Sequence, residues 1–366
     1  MAAYRGFKTI LLVLVAGVAS LAICSAARAG IDKGPYLQNL TKTSVTICWE
    51  SEKPGPGTLE YSLDPEGEIK TLESDGNNKF HEVKITGLTP GAQYRYRVTA
   101  DGERSAGAFH TAPDKVEPFR FAVIGDTRTG HPLHKQLITH MKKYDPALIL
   151  NSGDLVGDGR EQLDWDLFWD ITTPIARTVP YYPCLGNHEK NSDLYFQYFS
   201  LPQTGDGEKQ YTFSYAGAWF IVLDTNNGYA TFPQQKKWLT KALEIGQKYD
   251  FIFVLFHNPV YSSSDREPNK NLQAVLTPMF EKYGVTAVFN GHDHFYERSM
   301  KNGIPYIISG GGGAPLYDPD HVTPESVVRA KANQFMIVEI NGKKAVFKTY
   351  DINNKIIDEF TTSSSR

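Results

Sequence analysis

Five short apolar runs in this chain each stop at a side chain that can bind a metal ion, and no other feature constrains the fold as tightly. Residues 121–125 (FAVIG) run into Asp126, and residues 148–153 (LILNSG) into Asp154. Residues 181–186 (YYPCLG) lead to Asn187 and His188, residues 251–256 (FIFVLF) to His257, and residues 286–291 (TAVFNG) to His292 and His294. A short apolar run ending abruptly on a polar residue reads as a parallel strand buried on both faces. In open α/β sheets, ligands and catalytic groups gather beyond the carboxyl ends of such strands. Two Asp, one Asn and four His are therefore expected to converge on one sheet edge, with Asp154 at the centre.

Between these runs, residues 131–144, 161–171, 234–248 and 272–283 have helical periodicity. Residues 211–224 read as a hairpin turning at Ala216 and Gly217. A second hairpin is expected over residues 335–350, turning at Asn341 and Gly342, because Asn-Gly between apolar runs is the strongest short hairpin signal. The domain from 119 to 362 is thus α/β with a mixed sheet. The four glycines 310–313, after the strand 304–308, read as a flexible loop and lack the Lys-Ser/Thr of a P-loop.

Residues 30–112 have a different texture. Residues 43–49 (TSVTICW) alternate in period two, as a half-buried strand with Trp49 pointing into a core. Turn signals stand at 54–57 and 75–78, and Pro90-Gly91 forms a corner between two further strands. Tyr94, just after that corner, can return its hydroxyl to the local backbone, the tyrosine-corner device of β-sandwiches. This is an all-β segment, joined by a Pro-flanked linker at 113–118. His81 and His110 are isolated and read as surface or packing residues.

Composition narrows the function. The 366 residues suffice for two domains with real cores. A formal charge of −3, with no basic run, excludes nucleic acid as a natural partner. Residues 1–29 carry Arg5 and Lys8, an apolar stretch from Ile10 to Ile23, and Ala27-Arg28-Ala29, which together read as a cleaved signal peptide. The mature protein is expected to be exported, periplasmic or secreted, without stable membrane insertion. Beyond the leader only Cys48 and Cys184 remain, so no disulfide framework is expected and both read as small buried hydrophobes.

Carboxylate, amide and imidazole ligands without thiolates suit Fe, Mn or Zn. A carboxylate shared by two ions would hold them ~3.5–4 Å apart, close enough to act on one substrate group. Gly-Asp at 125–126, Gly-Asp at 153–154, Asn-His-Glu at 187–189, His257 and Gly-His-x-His at 291–294 form an ordered set. That set resembles the calcineurin-like metallophosphoesterase superfamily over about residues 119–351. Residues 186–189 (GNHE), 256–261 (FHNPVY) and 291–298 (GHDHFYER) bring it nearest to the purple acid phosphatase-like proteins. The preceding segment resembles their fibronectin type III-like N-terminal domain.

The resemblance implies an αββα catalytic domain, a mixed β-sandwich flanked by helices. It implies that Asp154 bridges two metal ions, that Asp126 and His294 complete one, and that Asn187, His257 and His292 complete the other. His188 would face the phosphoryl group as acid or charge stabiliser. The two ions would activate the nucleophile for in-line hydrolysis of a small phosphate ester, a phosphomonoester first. Two positions depart from the pattern. The purple enzymes place a metal-binding Tyr where Gly157 stands, and other members place a His where Arg128 stands. Arg128 can contact phosphate or be a surface arginine. A phosphodiesterase, or a binding protein with a weakened metal site, remain the alternatives.

Overall fold

The structure, a computed structural model, describes residues 30–226, 232–266, 268–364 and 366. The proposed signal peptide lies outside the described residues. No described helix is long and apolar enough to cross a membrane.

The N-terminal region is built from β1 (Ile31–Gln38), β2 (Ser44–Ser51), β3 (Gly57–Leu63), β4 (Lys70–Glu73), β5 (Phe80–Thr86), β6 (Gln93–Ala100) and β7 (Glu103–His110). They form two facing antiparallel sheets, ordered β1-β2-β5 and β4-β3-β6-β7. Trp49 is fully buried between them. Its ring stacks on His81, whose two nitrogens bond the hydroxyls of Ser51 and Ser74, so His81 is a packing residue. The Tyr94 hydroxyl accepts the Thr89 N–H at 2.9 Å, closing the expected corner. Cys48 and Cys184 are free and buried.

One expectation fails here. β2 is buried on nearly its whole length rather than on one face. Its sheet packs a second time, against the following domain, where Tyr36 stacks on Trp169 at 3.8 Å and donates its hydroxyl to the Tyr198 carbonyl. Alternation in sequence records one core only. The small polar face of β2 meets a second one.

The larger region adds β8 (Phe119–Ile124), α1 (His131–Met141), β9 (Leu148–Asn151), α2 (Gln162–Ala176), β10 (Tyr181–Pro183), α3 (Asp193–Tyr198), β11 (Tyr211–Tyr215), β12 (Ala218–Val222) and α4 (Pro233–Gly246). β13 (Phe251–Leu255), α5 (Lys270–Tyr283), β14 (Ala287–Asn290), β15 (Tyr296–Lys301), β16 (Ile304–Ser309), β17 (Ser326–Ala330), β18 (Gln334–Asn341), β19 (Lys344–Asp351) and β20 (Ile356–Ser363) complete it. Two mixed sheets face each other, ordered β10-β9-β8-β18-β19-β20 and β11-β12-β13-β14-β16-β15-β17. Phe121 meets Phe220, Phe253 and Phe289 across the interface at 5.1–6.0 Å, in edge-on contacts that aromatic pairs favour. Residues of α4 and α5 build a second apolar cluster with β12, β13 and β14, giving helix, sheet, sheet, helix in layers.

The five apolar runs form the parallel strands β8, β9, β10, β13 and β14, so their polar ends share one edge of the sandwich. The first hairpin turns at Ala216 and Gly217, both left-handed. The second turns one residue later than expected, at Gly342 and Lys343, because Asn341 pairs with Lys344. α2 runs to Ala176 through Pro174, beyond the expected end at 171. The glycines 310–313 are buried and tightly packed rather than flexible. The Gly312 N–H donates to the Gly125 carbonyl, and a Cβ at Gly312 would lie 2.2 Å from that same oxygen. Only glycine lets this strand end approach the Asp126 loop so closely.

Candidate metal centre

The strand-end side chains gather in two groups around Asp154. In one, Asn187 Oδ1 lies 3.1 Å from His257 Nε2 and 3.0 Å from His292 Nδ1, and those two nitrogens are 3.2 Å apart. Asp154 Oδ1 is 3.3 Å from His257 Nε2. Donor atoms sharing one ion at ~2.0–2.2 Å lie roughly 3.3 Å from one another, so these four have ligand spacing. In the other group, His294 Nε2 is 3.5 Å from Asp126 Oδ1. Donor atoms of Asp126, Asp154 and His257 lie within 4.8 Å of one another, and all three residues are buried.

Asp154 faces both groups. Its Oδ1 looks to His257, while Oδ2 lies 3.6 Å from Arg128 Nε and 3.8 Å from His188 Nε2. Asp126, Asp154 and His292 all have left-handed backbones, with φ of 54°, 54° and 71°. Such conformations cost ~1–3 kcal/mol each and persist where the surrounding structure imposes them.

Neighbouring carbonyls set the imidazoles. His257 Nδ1 donates to the Ser152 carbonyl at 2.8 Å, and His294 Nδ1 to the Pro315 carbonyl at 2.7 Å. Each Nε2 lone pair is left to face the cluster, as a metal-binding histidine requires. Burial alone would lower the His257 pKa, but Asp154 and Asp126 push it up to about 10. Burial raises that of Asp126. Two buried carboxylates demand a positive partner here, a condition that a cation meets. The donor set therefore fits metal ions.

The Asp126–His294 group is the less complete. A Cβ on Gly157 would lie 2.7 Å from Asp164 Oδ2, and that carboxylate accepts the Asp158 N–H. A side chain at 157 would thus have to displace the Asp164 carboxylate, in the first turn of α2. Arg128 reaches inward instead, its Nη2 3.4 Å from His294 Nε2. His188 follows a candidate ligand but turns differently. Its Nδ1 donates to the Gly157 carbonyl, and its backbone N–H to Asp154 Oδ1 at 2.9 Å.

Three buried carboxylates have structural work that the sequence reading left unassigned. Glu189 accepts the backbone N–H groups of Asp154, Leu155 and Gly186 at 2.6–3.0 Å, tying two ligand loops together. Asp293 accepts the hydroxyls of Ser262 and Ser264, and Glu297 the N–H and hydroxyl of Ser263. The signal lay in the motifs: Glu189 and Asp293 stand inside Asn-His-Glu and Gly-His-Asp-His, and Glu297 three residues beyond the second, among candidate ligands without being one. Arg266 donates to His292 Nε2 at 3.1 Å and to the Tyr317 hydroxyl, and the Tyr317 ring stacks on His294 at 4.2 Å. Nothing local marked Tyr317. Asp158 instead pairs with Arg160 and Lys190, and Tyr261 packs on Tyr306. A separate cavity of about 710 Å³, between the two regions and lined in part by Phe109, Pro118 and Tyr215, holds none of the candidate ligands.

Comparison with known proteins agrees with this architecture. The family profile for calcineurin-like phosphoesterases matches residues 119–296, and that for the purple acid phosphatase N-terminal domain matches residues 35–112. Purple acid phosphatase 18 of Arabidopsis thaliana is 29% identical over 305 residues, 76% of this chain and 67% of that protein. Acid phosphatase type 7 of Homo sapiens is 27% identical over 324 residues, 75% of this chain and 72% of that protein. The matches span between 52% and 72% of the curated relatives' lengths. A purple acid phosphatase from yellow lupin (Lupinus luteus) seeds shares the fold at a TM-score of 0.78 and 19% identity, covering 92% of this chain and 74% of that one. With both profiles matched in order on a shared fold, the chain belongs to the calcineurin-like metallophosphoesterases and carries the N-terminal domain of the purple acid phosphatases.

Proposed function

We propose that this chain is an exported, metal-dependent phosphoesterase that hydrolyses phosphomonoesters, with its catalytic domain over residues 119–362. The observation that supports this most is the ligand spacing of Asp154, Asn187, His257 and His292, at 3.0–3.3 Å. Asp154 would be shared by two ions, with Asp126 and His294 on one side and Asn187, His257 and His292 on the other. When bound, the ions supply Lewis-acid activation of water and of the phosphoryl group.

The chain's own residues do the rest. His188 keeps its Nδ1 proton on the Gly157 carbonyl, so Nε2 is the atom that exchanges a proton with the leaving oxygen. Arg128, beside Asp154 and His294, offers a planar donor fork to a phosphoryl oxygen. Export rests on the leader sequence alone.

A second reading has its own observation. Gly157 supplies no ligand and Arg128 reaches into the Asp126–His294 group, as in a protein that keeps one ion and binds phosphate without turnover. Assay of a nitrophenyl phosphomonoester beside the bis(nitrophenyl) diester separates the readings. Faster monoester turnover is expected. A preference for the diester would make the chain a phosphodiesterase, and turnover of neither would favour the binding protein.

A further inference from the structure

A polar cleft of about 680 Å³ opens directly beside Asn187 and His292. That volume is in the range of small-molecule sites. Asparagine dominates its walls: Asn191, Asn226, Asn258, Asn269 and Asn271 line it, with Lys190 the one lysine or arginine among the described residues. No carboxylate and no aliphatic hydrocarbon side chain lines it among the described residues.

The hydrogen bonds already made define what the lining has left. Asn258 Oδ1 accepts the Thr225 hydroxyl at 3.0 Å, and Asn269 Oδ1 accepts the Leu272 N–H at 3.1 Å, which leaves both Nδ2 groups as donors. Asn226 Nδ2 donates to the carbonyls of Leu185 and Gly186, which leaves its Oδ1 as an acceptor. The Lys190 ammonium is paired with Asp158. Uncharged donors and acceptors thus predominate, beside one lysine among the described lining residues that shares the Asp158 carboxylate with Arg160. A hydroxyl both donates and accepts, so neighbouring hydroxyls match such a lining. A flat hydrocarbon would find no apolar wall among the described residues.

The cleft adjoins the candidate centre: Asn187 and His292 belong to both, and the turn 187–191 that supplies Asn187, Lys190 and Asn191 to its wall also carries His188, whose ring is held on the Gly157 carbonyl outside the lining.

We propose that this cleft receives the alcohol portion of the substrate, and that this alcohol is an uncharged polyhydroxyl compound of the sugar or polyol class. The proposal rests on the phosphomonoesterase reading above.

Steady-state kinetics on glucose 6-phosphate and cyclohexylmethyl phosphate test it, since both esters present a six-membered ring through a primary oxygen. The expected kcat/KM ratio favours the sugar by about 10-fold or more. Asn258→Leu and Asn271→Leu should each lower that ratio by about 5-fold, the worth of one hydrogen bond. Asn258→Leu also breaks the bond to Thr225, whereas Asn271 is exposed, so the second variant keeps the test readable if the first folds poorly. A ratio near one, or a high ratio that neither variant lowers, overturns the cleft assignment while leaving nitrophenyl phosphate turnover intact. Absence of nitrophenyl phosphate turnover in the unaltered protein overturns the parent reading, and this one with it.

Discussion

His188 is the residue whose role separates most cleanly from those of the ligands around it. It touches Asp154 through its backbone N–H, while its ring is held by Gly157. If Nε2 serves the leaving oxygen, its benefit grows as that oxygen becomes more basic. A general acid typically contributes ~10²–10⁴-fold. His188→Ala should therefore slow alkyl phosphates by about that factor and nitrophenyl phosphate far less, with metal content unchanged. Equal losses on both substrates would assign His188 to charge stabilisation, and loss of a metal would make it a ligand. Gly157 carries a second expectation. The colour of the enzymes this chain resembles comes from a phenolate on iron, and glycine at 157 offers none. Iron-loaded protein should show no intense visible band. A strong band lost on Tyr317→Phe would show that Tyr317, now stacked on His294 and bonded to Arg266, has taken that place.

At the scale of elements, the site depends on how loops are tied to strand ends. Glu189 joins the loop after β9 to the loop after β10 through three backbone N–H groups. Glu189→Gln keeps the shape but turns an acceptor into a donor facing N–H groups. It should cost ~1–3 kcal/mol, the penalty for buried polar groups left unpaired, seen as a lowered denaturation midpoint with unchanged slope. A variant as stable as the parent would show that the tie is dispensable. The strands that deliver ligands are legible in the sequence because burial on both faces writes a continuous apolar run. β17 and β20 are not, since these edge strands are mostly half-buried or exposed and their composition is mixed. α3 spans six residues, too few for a helical period to register. The packing of glycines 310–313 depends on residues near 125 in the chain, a contact that no local pattern contains.

Across the whole molecule, the two regions share one continuous apolar core. Tyr36 and Trp169 meet inside it, and the Tyr182 hydroxyl both accepts from and donates to the Leu40 backbone at 3.0–3.1 Å. The N-terminal sandwich is thereby braced against α2 and β10, the elements that lead into the Asn187 loop. The sequence revealed both regions and their order, but not this bracing, because a contact between distant segments leaves no period in either. The convergence of Asp126, Asp154, Asn187, His257, His292 and His294 is what that architecture secures, and the functional reading stands on it. The most direct measurement is a titration of chelator-stripped protein with Fe, Mn or Zn, following bound metal per chain and nitrophenyl phosphate turnover together. The account predicts that turnover rises with metal and saturates near two ions per chain. Full metal loading without turnover, or turnover undiminished in the stripped protein, would contradict it.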